Sequence, residues 1–147
     1  MEGVVKFNCH WNQSGPVISD EMYEIINYWR EVLYNMDIIG AYENGVCYGN
    51  ISMRMGKSNQ FIITASATGE IPELEPGHYV KVNSFNIDEN AVQCTGPLKA
   101  SSESLTHAAI YLADQGANAV VHVHSIDLWN ELIYKVPTTN PSMEYGT

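Results

Sequence analysis

Basic side chains are scarce in this sequence. Seven Lys and Arg stand against 17 Asp and Glu, which leaves a formal charge of -10 at pH 7. So acidic a chain does not hold nucleic acid or an anionic membrane through charge. A small anion stays within reach, because backbone amides and hydroxyls bind phosphate without net positive charge. Cysteine is sparse too. Cys9, Cys47 and Cys94 form no CxxC pair, and their irregular spacing suits reduced thiols in a cytoplasmic protein better than a disulfide framework. No run of about 18 apolar residues could span a bilayer. The opening MEGVVKFNCHWNQSG lacks the basic stretch and apolar run of a signal peptide. No repeat, low-complexity block or linker divides the chain, and no GxGxxG follows a strand, which disfavours a dinucleotide fold.

What is present is enough for a core. The chain has 147 residues, 45 % of them apolar, and reads as one domain over residues 1–147. The spacing predicts a helix from about Asp20 to Met36, capped by Ser19, with Met22, Ile25, Ile26, Trp29, Leu33 and Met36 as its inward stripe. A second helix is expected from Ser101 to Gln115, with Leu105, Ala108, Ala109 and Leu112 inward. A third follows Ser125, uses Leu128, Trp129, Leu132 and Val136, and stops at Pro137. Residues 46–54, 60–65, 79–82 and 117–124 read as strands. Successive strands without helices between them favour antiparallel pairing. The expected fold is therefore α/β, a three-layer sandwich with a largely antiparallel central sheet flanked by helices.

Three segments carry chemistry. In Val120-Val121-His122-Val123-His124 the two imidazoles share a strand face and can take neighbouring positions around one Zn²⁺, or simply face water or pack under a helix. In Ser101-Ser102-Glu103-Ser104-Leu105-Thr106-His107 a helix start offers hydroxyls and free N–H groups to a phosphate, with Glu103 beside it as a proton shuttle; ordinary helix capping explains the same residues. His107, one turn later, reads as a satisfied core histidine. The third segment joins Gly49-Asn50-Ile51-Ser52 to Thr64-Ala65-Ser66-Ala67-Thr68-Gly69, where glycines permit close backbone approach and Asn50, Ser66 and Thr68 offer neutral donors.

Order, spacing and residue types together resemble the class II aldolase/adducin family over roughly residues 40–125. The motifs that carry the likeness are Gly49-Asn50-Ile51-Ser52-x-Arg54, Thr68-Gly69, Ser101-Ser102-Glu103-x-x-x-His107 and His122-Val123-His124. The closing Tyr145-Gly146-Thr147 resembles a further family segment. The resemblance implies a Zn²⁺-dependent lyase acting on a small phosphorylated sugar, in rings of four subunits with sites between neighbours. His122 and His124 would ligate the metal and Glu103 would be the catalytic acid/base. Asn50, Thr68, Gly69, Ser101 and Ser102 would bind the phosphate. Epimerase and dehydratase chemistry on a ketose phosphate belong to the same family, as does the non-catalytic binding role of adducin.

One departure stands out. The family's third metal-binding histidine follows the HxH strand, whereas His10, His78 and His107 all precede it. Residues 137–147 hold two prolines and no apolar periodicity, so they cannot supply further strands. The expectation is a member of the family lacking its C-terminal part. A naturally short binding module, or a site with a different third ligand, are the alternatives.

Overall fold

Phe61-Ile62-Ile63-Thr64 is buried at all four positions, and it is the middle of the molecule. The computed structural model describes residues 7–142. In chain order its elements are β1 (Asn8–Gln13), α1 (Asp20–Asn35), β2 (Gly40–Ala41), β3 (Cys47–Tyr48), β4 (Asn50–Arg54), β5 (Phe61–Thr64), β6 (Tyr79–Asn86), β7 (Ala91–Gly96), α2 (Ser104–Ala113), β8 (Ala119–His122) and α3 (Ile126–Leu132). Six strands form one sheet in the order β1-β7-β6-β5-β4-β8, while β2 and β3 make a separate hairpin. Strand residues alternate between faces. Phe61 and Ile63 therefore enter the cluster with Val80, Val82, Ala108 and Tyr111, on the side covered by α2. Ile62 enters the cluster with Ile26, Ile51, Leu74 and Tyr79, on the side covered by α1.

The sheet is mixed rather than wholly antiparallel. Four neighbouring pairs run antiparallel, but β1 joins β7 in parallel. Neither of those two strands is foreseen by the hydrophobic pattern, because β1 is mostly polar and its pairing spans most of the chain. The expected 79–82 strand runs on to Asn86. The expected 46–54 strand breaks at Gly49, whose φ of 75° suits glycine and lets β3 leave the sheet plane. Cys9 and Cys94 come together across β1 and β7, sulfur to sulfur 3.6 Å apart as free thiols. Burial pushes the Cys9 thiol up to about 12.

The apolar stripes expected on the two long helices are met in part: Met22, Ile26 and Leu33 of α1 and Leu105 and Ala108 of α2 pack into the clusters, and the other members face outward. Ser19 does cap α1, accepting from the Met22 amide. The buried face of α1, however, is Ile26, Asn27 and Arg30, with Ile25, Trp29 and Met36 exposed. The polar pair turns inward because each finds partners. Asn27 Oδ1 accepts from the Tyr79 hydroxyl at 2.7 Å, and Arg30 reaches three carbonyls. α2 starts at Ser104, later than expected, and buries Ser104, His107, Ala108 and Tyr111 while Ala109 and Leu112 are exposed. Ser52 on β4 sets this face: its Oγ lies 2.7 Å from His107 Nδ1 and 2.8 Å from the Tyr111 hydroxyl. α3 ends at Leu132, short of Val136, and Leu128, Trp129, Leu132 and Val136 are all exposed. No helix among the described residues is long and apolar enough to cross a membrane. Tyr145-Gly146-Thr147 lies outside the described residues.

Arg54 locks the end of β4 to α2. Its Nε donates to the Ala117 carbonyl, and Nη2 donates to the carbonyls of Tyr111 and Asp114 at the helix C-terminus. Nη1 donates to Ser58, and the guanidinium lies 4.6 Å from the Tyr111 ring centre. A positive charge there also complements the helix dipole. Arg54→Met is expected to lower unfolding stability by about 3 kcal/mol or more, since several buried carbonyls lose their donor together. Urea denaturation measures this, and an unchanged midpoint would contradict the role.

Candidate functional site

The strand ends that converge beside β8 surround one open cavity of about 290 Å³. It is lined by Asn50 at the start of β4, by Ala65–Gly69 after β5, by Ser101, Ser102 and Glu103 before α2, and by His122 and His124. All eight residues singled out as candidate site residues line this cavity. Residues 45–49 of the β2–β3 hairpin form its remaining wall.

The histidine pair is held from behind. β8 pairs with β4 so that His122 stands opposite Asn50, and the amide of His124 donates to the Ile38 carbonyl. The two Nε2 atoms lie 3.2 Å apart. His124 Nδ1 is 2.8 Å from the Tyr42 hydroxyl, and its ring stacks on Tyr48 at 5.3 Å. Neither tyrosine is foreseen in the sequence reading, because only the folded hairpin brings them over His124. Asn50 Nδ2 lies 3.2 Å from His122 Nδ1, which leaves the buried Asn50 Oδ1 without a hydrogen-bond partner.

Glu103 sits at the N-cap position of α2 rather than within its first turn, and its side chain caps nothing. Oε2 accepts from the Thr106 hydroxyl at 3.1 Å, whereas Oε1 is buried and unpartnered. The Ser101 hydroxyl oxygen accepts from the Glu103 amide, so its own proton stays available. Thr68 differs from the sequence reading: its hydroxyl donates to the Ala65 carbonyl and closes its own turn. Gly69 is required for space, as a Cβ there would overlap the Gly40 carbonyl oxygen and press on Cys47 Cβ at 2.8 Å. His107 is fully buried, and desolvation, with the nearby His122 adding to it, lowers its pKa to about 3. It belongs to the core as expected, but it is satisfied at Nδ1 alone: its buried Nε2 has no hydrogen-bond partner.

The donor set suits one side of a tetrahedral cation. Two nitrogens bound at about 2.0–2.1 Å stand roughly 3.3–3.4 Å apart in such a shell, close to the separation of the two Nε2 atoms. A His122 that binds through Nε2 carries its proton on Nδ1. An Asn50 amide turned over by half a rotation then accepts that proton, which satisfies the orphaned oxygen and points the NH₂ elsewhere. The shell is incomplete: among the described residues no group of three or more His, Cys, Asp or Glu is placed to hold a metal ion.

A central mixed sheet with helices on both faces, and a polar cavity at its strand ends, defines the class of α/β fold to which the chain belongs. The family model for the class II aldolase and adducin N-terminal domain matches residues 42–129, more than half of the chain, and the chain belongs to that family. Among solved structures it is similar to YgbL from Klebsiella pneumoniae, a candidate aldolase/epimerase/decarboxylase, at 21 % identity and a TM-score of 0.57, covering 75 % of this chain and 47 % of that one. It is similar also to an L-fuculose 1-phosphate aldolase, at 20 % identity and a TM-score of 0.54, covering 77 % of this chain and 48 % of that one. These likenesses are of fold. The chain spans about half the length of the solved structures it matches. No curated protein matches it.

Proposed function

We propose that this chain carries the anion-binding and proton-transfer parts of a zinc-dependent, aldolase-like lyase acting on a small sugar phosphate. One observation supports the reading above all: His122 and His124 bring their Nε2 atoms to 3.2 Å beside a cavity that Glu103 also lines, and one oxygen of its buried carboxylate has no hydrogen-bond partner. Zn²⁺ held by the two imidazoles would supply a Lewis acid that polarises a ketose carbonyl and hydroxyl. The remaining work falls to this chain's side chains. Ser101 and Ser102 donate to the phosphate, while Asn50 accepts from His122 and fixes the orientation of its ring. Held at that end, the sugar keeps its reacting carbons in register with Glu103. Glu103 Oε1 takes the hydroxyl proton as the C–C bond breaks, or moves the proton on the carbon beside the carbonyl. Epimerisation and dehydration of a ketose phosphate use the same groups and differ in product.

The test uses the full chain loaded with Zn²⁺ and a panel of ketose phosphates in D₂O. Aldehyde release, with deuterium entering beside the carbonyl, is the expected result. A protein that retains no zinc and exchanges no deuterium would sink the reading. Adducin-like binding without catalysis is the second reading, favoured by the absence of a third ligand among the described residues. Zinc retained without any exchange would favour it.

A further inference from the structure

Among the described residues Arg30 is the large cation that lies against the site and that the chemistry above leaves unused. It projects from the inner face of α1 and is only 1 % exposed. Burying a guanidinium is expensive unless every donor is met. Among the described residues its hydrogen bonds go to carbonyl oxygens and none to a carboxylate. Nη1 donates to Pro72 at 2.8 Å, and Nη2 donates to Thr68 at 3.0 Å and to Gly69 at 3.3 Å. The flat face of the group rests 4.6 Å from the centre of the Tyr34 ring. Thr68 and Gly69 line the cavity, so Arg30 stands one peptide layer behind its wall.

Two consequences follow from simple geometry. In a trans peptide the C=O and the next N–H point in opposite directions. With the Thr68 and Gly69 carbonyls drawn onto the guanidinium, the amides of Gly69 and Glu70 are directed away from it. The turn that contains Gly69, already confined by Gly40 and Cys47, is thereby fixed from both sides. The second consequence is electrostatic. Among the described residues no Lys or Arg lines the cavity, Glu103 adds a carboxyl group, and the whole chain carries -10. Lys99 comes just before the cavity serines in sequence, but its Nζ is turned toward Trp11, 5.9 Å from the ring centre. A doubly charged phosphate entering such a place needs a cation nearby, and in a poorly solvated interior a unit charge acts over several ångströms.

We propose that Arg30 is a positioning residue for the anionic end of the ligand: it holds the 68–72 turn in its binding shape and gives the cavity its positive field through the two peptides it grips. The inference rests on the reading of this cavity as a phosphate site and adds to it a residue that touches no ligand.

Calorimetric titration of the full chain with inorganic phosphate tests it, on wild type, Arg30→Gln and Arg30→Lys. Each protein is also titrated with Co²⁺, which reports on His122 and His124 independently of the anion site. Arg30→Gln is expected to weaken phosphate binding by about tenfold or more while Co²⁺ affinity stays within about twofold. Arg30→Lys keeps the charge but loses the two-carbonyl fork, and falls between the two. If Arg30→Gln does not fold, Arg30→Lys carries the test. Phosphate binding about threefold weaker at unchanged Co²⁺ affinity supports the role, and wild-type phosphate affinity overturns it. A folded Arg30→Gln that binds phosphate like wild type overturns it as well, and so does a parallel loss of phosphate and Co²⁺, which would mark general structural damage. Wild-type protein that binds no phosphate at all overturns both this inference and the phosphate reading. Failure confined to the variants overturns this inference alone.

Discussion

His122→Ala raises the dissociation constant for Zn²⁺ or Co²⁺ by about 100-fold or more, and His124→Ala does the same. The expectation follows from how few donors there are. The two Nε2 atoms, 3.2 Å apart, are the pair that the described residues offer to a cation, so removing either leaves a single nitrogen. Tyr42→Phe is a milder test of the same geometry. It deletes the hydroxyl 2.8 Å from His124 Nδ1 without removing a ligand, and outer contacts of this kind are worth about 10- to 100-fold in metal affinity. Chelator competition gives the constants, and the visible absorption of Co²⁺ reports whether nitrogen ligation survives. A His122→Ala protein that binds Co²⁺ as tightly as wild type, with an unchanged spectrum, would remove the pair from the metal site.

The residues around this cavity were more legible in the sequence than the packing that supports them. His122 and His124 at i, i+2, and the run from Ser101 to Glu103, are close in sequence, so local periodicity brings each group together with no knowledge of the fold. Asn50, Thr68 and Gly69 join them because β4, β5 and the start of α2 end on one side of the sheet. The helix faces are legible only in part, since Met22, Ile26, Leu33, Leu105 and Ala108 pack inward and the polar members of those faces go unannounced. An apolar stripe ranks residues by hydrophobicity, whereas Asn27, Arg30 and Tyr111 are buried against polar partners in Tyr79, the 68–72 carbonyls and Ser52, and His107 is held by Ser52 at Nδ1 while its Nε2 has no hydrogen-bond partner. Those partners lie tens of residues away along the chain, so no local pattern announces them. β1 was missed on similar grounds. Its register against β7, Asn8 opposite Ala91 through Gln13 opposite Gly96, is a long-range parallel match with no turn to signal it. Even within the site, the spacing gave Thr68 a donor's role that the fold withdraws by spending its proton on Ala65.

Glu103→Gln should separate proton transfer from everything else the site does. Glutamine keeps the length and shape of the side chain, and its carbonyl oxygen can still accept from the Thr106 hydroxyl that holds Oε2. The helix start should survive, since the Glu103 side chain makes no capping bond to the backbone and Ser101 accepts from the residue 103 amide whichever side chain is there. The metal pair is untouched. What changes is the carboxyl group itself: an amide stands in its place and cannot take up a proton near neutral pH. General acid/base groups contribute about 10²- to 10⁴-fold, so deuterium exchange beside the ketose carbonyl and aldehyde release should both fall by that order. Co²⁺ affinity and phosphate binding should stay within about threefold of wild type, because neither depends on a proton leaving the ligand. Exchange at the wild-type rate would take Glu103 out of the reaction and leave the proton to another group. Loss of exchange together with loss of Co²⁺ binding would instead make the carboxylate part of the metal shell, the third donor that the His122–His124 pair lacks among the described residues.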